Sequence, residues 1–142
     1  FGAPRAVWAD ATGVLVADTL HGCIQRFRLD GTFVANVRCG PAGELARPVA
    51  VLRLPNGDVL FADRGDNPGV RRVRPDGARV VMPGDLEERC HDPQAFASDL
   101  RGRIYVLDRG GERVQRFGAD LIFDCVVVDL AEHLLDYEPG VP

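Results

Sequence analysis

Short apolar runs rich in β-branched residues punctuate this chain: RAVWA, VLVA, VLFA, RIYVL and IFDCVVV, with clusters of Gly, Pro, Asp and Asn between them. Runs of that length and composition predict β-strands. The intervening DATG, LDG, LPNG and RPDG are turn formers with a mechanism. Glycine supplies positive φ, and Asp or Asn folds its side chain back onto the turn backbone. No run approaches the roughly 18–20 apolar residues of a membrane helix, so no membrane span is predicted. One helix is expected near the C-terminus. Asp129 and Glu132 read as a capping box, and Leu130, Leu134 and Tyr137 would share one of its faces.

The strand pattern repeats. DTLHGCIQRF at 18–27 returns as DRGGERVQRF at 108–117, with DRGDNPGVRRV starting at Asp63 between them. Asp18, Asp63 and Asp108 are each 45 residues apart. Pro4, Pro48 and Pro93 are 44 and 45 apart, and Gly13, Gly57 and Gly102 each follow a proline by nine residues. Each unit reads Pro, strand, Gly, strand, Asp, turn, strand, and the first continues after LDG into a fourth strand, TFVANVR. Four short strands in roughly 45 residues are the signature of a propeller blade.

The unit resembles the NHL repeat, through FGAPRAVWADATGVLVADTLHGCIQRFRLDGTF, LARPVAVLRLPNGDVLFADRGDNPGVRRVRPDG and PQAFASDLRGRIYVLDRGGERVQRF. The resemblance implies an all-β fold: an NHL-type β-propeller with three four-stranded blades, at about 1–44, 45–89 and 90–128, in a single partial domain spanning 1–142. Residues 129–142 then hold the short helix and the start of a fourth blade or a tail, since Pro139 lies 46 residues past Pro93. Such rings usually have six blades, so the chain reads as about half of one. The outer faces of the first and last blades are then expected to be open. They would be covered by the rest of a longer propeller, by a second copy closing a six-bladed ring, or by another subunit of a larger assembly.

Composition adjusts this picture. There are 21 acidic residues against 17 basic ones, all arginine, giving a net charge of −4. That balance disfavours nucleic acid as the partner, although some NHL propellers bind RNA and the arginine-rich third strands keep that alternative open. Arginine suits bidentate anion contacts better than lysine. The four cysteines form no CxxC pair and show no zinc-type spacing. Cys23 and Cys39 flank the Asp30-Gly31 turn almost symmetrically, so a disulfide between them is a candidate. Cys90, Cys125, Trp8 and Tyr105 read as core residues.

Repetition also sorts the candidate chemistry, because a residue present in every blade builds blades whereas an active site needs its groups once. Asp18, Asp63 and Asp108 are therefore turn residues that accept backbone N–H bonds. Arg26, Arg72 and Arg116 read as salt-bridged packing residues between blades, with an anion-binding ring as the alternative. His21, His91 and His133 stand in three different contexts, with nothing in their spacing to suggest convergence on a metal. A six-bladed peptide-amidating lyase related to this family places metal-binding His after the blade-opening prolines. Arg5, Val49 and Gln94 occupy those positions here. The asparagines that a gluconolactonase-like calcium site would need are likewise accounted for by strands and turns, and the Arg64-Gly65-Asp66 tripeptide is too short to argue for adhesion.

No catalytic constellation, cofactor site or metal site is identified. The sequence points to a non-catalytic, protein-binding scaffold module, with part of a metal-dependent hydrolase or lyase as the alternative. Arg64, Arg109 and Arg113, in the turns after the repeated aspartates, are the expected partner contacts.

Overall fold

The computed structural model describes residues 2–40, 45–80 and 86–130. Each repeat folds into one four-stranded antiparallel meander. The first holds β1 (Pro4–Asp10), β2 (Gly13–Asp18), β3 (Cys23–Phe27) and β4 (Phe33–Arg38). The second holds β5 (Pro48–Arg53), β6 (Val59–Asp63), β7 (Gly69–Val73) and β8 (Arg79–Val80). A four-residue helix, α1 (Leu86–Arg89), leads into β9 (Pro93–Ser98), β10 (Ile104–Asp108), β11 (Arg113–Phe117) and β12 (Phe123–Asp129). Each repeated proline is the first residue of its blade's first strand, where its missing N–H costs no ladder bond. The helix expected over 129–142, including His133, and the blade start at Pro139 fall outside the described residues except at Asp129 and Leu130. Asp129 closes β12 and is therefore part of a strand.

Burial reveals how the sheets stack. All five residues of β6 are buried, so the middle blade is covered on both faces. In β2, Leu15 and Ala17 are buried while Val14 and Val16 are only partly covered. In β10, Ile104 and Val106 are buried while Tyr105 and Leu107 are not. A strand's side chains alternate between faces, so each outer blade buries one face and leaves the other open.

Two cores follow. Leu15, Ala17, Ile24 and Val37 of the first blade pack on Val51, Val59, Phe61 and Val73 of the second. Leu52, Leu60 and Val70 of the second pack on Ile104, Val106 and Phe117 of the third. Full burial of each large side chain contributes about 1.5–3 kcal/mol. Trp8, on β1, is partly buried and packs against both cores.

The sequence reading missed α1, which plugs the second junction: Leu86 is fully buried there beside Cys90. The Arg89 guanidinium lies 3.7 Å from the centroid of the Phe123 ring. Tyr105 and Cys125, expected in the core, sit half-covered on the open face of the third blade, where the Tyr105 hydroxyl donates to Asp99.

The candidate bridge between Cys23 and Cys39 is not formed; both thiols are free and buried. Cys23 stands opposite Arg38 in the β3–β4 register, one residue short of Cys39. Cys39 instead joins Val37 in the first junction core, where burial pushes its thiol pKa up.

Candidate functional site

Strand register places the start of each first strand, the end of each second strand and the start of each third at one end of the stack, as in Pro4, Asp18 and Cys23. The inter-blade connections begin and finish there too, so we call it the connector end. The three repeated aspartates are buried at this end, at 0%, 3% and 0% exposure for Asp18, Asp63 and Asp108.

Each aspartate ties its second-strand end to the start of its blade. Asp18 accepts the Gly2 N–H at 2.9 Å and faces His21 Nδ1 at 2.9 Å. Asp63 accepts the Arg47 N–H at 2.8 Å, the Gly65 N–H at 2.7 Å and Arg71 Nε at 3.1 Å. Asp108 accepts the Asp92 N–H at 2.8 Å and, more loosely, that of His91 at 3.3 Å. Burial pushes the Asp18 carboxyl pKa upward, but the hydrogen bonds from His21 and Gly2 outweigh it and hold the group below its ordinary value.

These ties set up the exposed residues around them. The Arg64 N–H donates to the Arg47 carbonyl at 3.0 Å, one residue along from the Asp63–Arg47 bond, so the two arginine backbones are bolted together. The bolt requires Gly65: a Cβ there would lie 1.9 Å from the Leu45 carbonyl oxygen. Asp66 in turn accepts the Leu45 N–H at 2.9 Å. The Arg-Gly-Asp tripeptide is thus accounted for by the connector it secures.

A depression of about 270 Å³ opens over this bolt, lined by Arg5, Thr19, Arg47, Val49 and Arg64. The Thr19 hydroxyl is spent on the Pro48 carbonyl at 2.8 Å, tying the first blade to the second. Arg64 faces Asp92 across the second junction, Nε to Oδ1 at 3.4 Å. No ion pair to the Arg5 or Arg47 side chain occurs among the described residues.

The three arginines expected to act together are separated. Arg64 lines this depression. Arg109 lines a second one, of about 280 Å³, with Gln94, Leu107, Glu112 and Leu130 on the outer side of the third blade. Arg113 is the first residue of β11, outside the turn, and its guanidinium reaches inward to the Arg89 carbonyl at 3.2 Å. Arg5 and Arg47, which were not singled out as contacts, take their place beside Arg64. The signal was present in the sequence: both flank a blade-opening proline, Arg5 after Pro4 and Arg47 before Pro48.

Two of the three recurring third-strand arginines pair within their own blades, not between blades. Arg72 meets Asp58 at 2.8 Å and Arg116 meets Asp124 at 2.6 Å. No group of three or more His, Cys, Asp or Glu side chains placed to hold a metal ion occurs among the described residues.

Comparison with known proteins defines the class. No protein-family model and no curated protein matches this chain. Its fold matches solved propeller structures at low identity. A structure of the nidogen/laminin complex aligns with TM-score 0.69 and 17% identity, covering 88% of this chain and 48% of that one. Virginiamycin B lyase from Staphylococcus aureus aligns with TM-score 0.61 and 18% identity, covering 84% of this chain and 39% of the lyase. A streptogramin B lyase structure aligns equally well, at TM-score 0.61 and 18% identity, with 84% and 38% covered. The three stacked meanders are therefore part of a β-propeller, and the chain spans less than half the length of each of these structures.

Proposed function

We infer that this partial propeller is a non-catalytic protein-binding module of NHL type whose connector end is the docking face. One observation carries the reading. Arg5, Arg47 and Arg64 gather around a single depression on a scaffold that fixes two of their backbones, in a chain whose net charge is −4. Cations clustered on fixed backbone positions at the rim of a fold steer and orient an acidic protein partner. The test compares the proteins retained from cell extract by the 142-residue chain and by its Arg64→Ala/Arg109→Ala variant, with equal melting temperatures as the control for folding. Selective loss of retained proteins by the variant is expected; identical retention overturns the assignment of this end.

Assembly through blade faces is a second element of the reading. The open face of the first blade presents Val7 at 69% exposure with Val14 and Val16, and the open face of the third presents Leu107 and Tyr105. Val14 and Val16 stand where Val59 and Phe61 stand in the second blade, whose side chains are fully enclosed at the first junction. Faces built alike are expected to be covered alike, by further blades of a larger assembly or by a second copy. Light scattering on the isolated chain decides between these: a stable dimer supports closure by a second copy, and a monomer excludes it.

A further inference from the structure

We propose that the depression ringed by Arg5, Arg47 and Arg64 is a carboxylate subsite for a glutamate-bearing segment of a partner, and that Asp92 is its built-in competitor. The proposal rests on the protein-binding reading above and specifies its chemistry.

Three features argue for the ligand class. The rim is cationic and its positions are set in advance, because Arg47 and Arg64 are joined backbone to backbone and Arg5 follows the proline that opens β1. The other carboxylates close to the bolt are engaged with backbone amides: Asp63 with Arg47 and Gly65, Asp66 with Leu45. The wall includes the half-buried aliphatic side chain of Val49, on which the methylenes of a glutamate can lie.

Asp92 supplies the fourth feature, because it shows what the site accepts. Its carboxylate already faces Arg64, but at 3.4 Å, with 45% and 32% of the two side chains exposed. Such a contact in high dielectric is weak and exchangeable. Asp92 Oδ1 also accepts a hydrogen bond from Gln94 Nε2 at 2.8 Å, so the carboxylate keeps a partner once Arg64 is taken. An incoming glutamate would replace Asp92 on Arg64 and add contacts to Arg5 and Arg47. The two carboxylates exchange on one guanidinium with no net change in charge pairing there.

The experiment titrates a fluorescently labelled hexaglutamate peptide into the 142-residue chain at low ionic strength and follows anisotropy. Arg5→Ala/Arg47→Ala should weaken binding by about tenfold or more, as expected for losing charge-assisted hydrogen bonds. Asp92→Asn should strengthen it, by about twofold to fivefold, by freeing Arg64. A hexaglutamine peptide should not bind. The subsite is overturned if the wild-type chain fails to bind hexaglutamate, if Arg5→Ala/Arg47→Ala binds it as well as wild type, or if an oligonucleotide of equal charge binds more tightly. In those cases the broader docking face still stands or falls on its own extract comparison, which uses Arg64 and Arg109. Binding that Asp92→Asn leaves unchanged would remove Asp92 as competitor.

Discussion

Asp63 shows how much one side chain does at the connector end. Its carboxylate takes two backbone N–H groups and the Arg71 guanidinium while only 3% exposed. Replacing it with alanine strands those donors in a buried site, so Asp63→Ala is expected to destabilise the chain by about 3 kcal/mol in denaturant unfolding. At the opposite end, Asp99 gives a different signal. Partial burial pushes its pKa up, but hydrogen bonds from the Arg103 side chain, the Arg103 and Arg101 amides and Tyr105 prevail, bringing it from 3.8 to about 2. A carboxyl whose pKa is depressed on folding stabilises the fold above its unfolded pKa. That contribution is lost as pH falls through the folded value. Thermal melts should therefore lose stability between pH 3.8 and about 2, and Asp99→Asn should flatten that stretch of the profile. An unchanged profile would assign the acid sensitivity to other carboxyls.

At the scale of elements, the strands were legible in the sequence and the connectors were not. Period, β-branched runs and turn glycines placed β1, β2, β6, β10 and β12 to within a residue or two. These signals are local, and the same phrase is written three times. Helix α1 left a fainter trace in LEER, too short to show helical periodicity. Its identity as a helix depends on Leu86 finding a core to fill, which no local pattern reports. Leu86→Ala should cost about 2–5 kcal/mol, as for other fully buried leucines, and measurable loosening of the second junction should accompany it. The cysteine pair failed for a related reason: symmetry about a turn does not fix register, and a slip of one residue sends neighbours to opposite faces. The candidate site was half legible. Arg64 was read from its place after a repeated aspartate. Arg5 and Arg47 converge on it only because two blades fold against each other.

For the whole molecule, stacking order predicts a gradient of local stability. The middle blade is enclosed on both faces and the outer blades on one. Amide hydrogen exchange should be slowest in β6 and β7 and faster in β4 and β12, two strands in which Val37 alone is buried. Uniform exchange across the three blades would mean that the outer ones are covered in solution, which is itself the signature of assembly.

Arrays of repeats usually pass information only between neighbours. Trp8 bears on two such seams at once, because one indole on the first blade packs against the core clusters of both junctions. It is also the single tryptophan in the chain. Its emission is thus a built-in optical gauge of both interfaces at once. A variant that loosens either junction should shift the same spectrum, and paired variants, one at each junction, should show by departure from additivity how strongly the two seams are coupled.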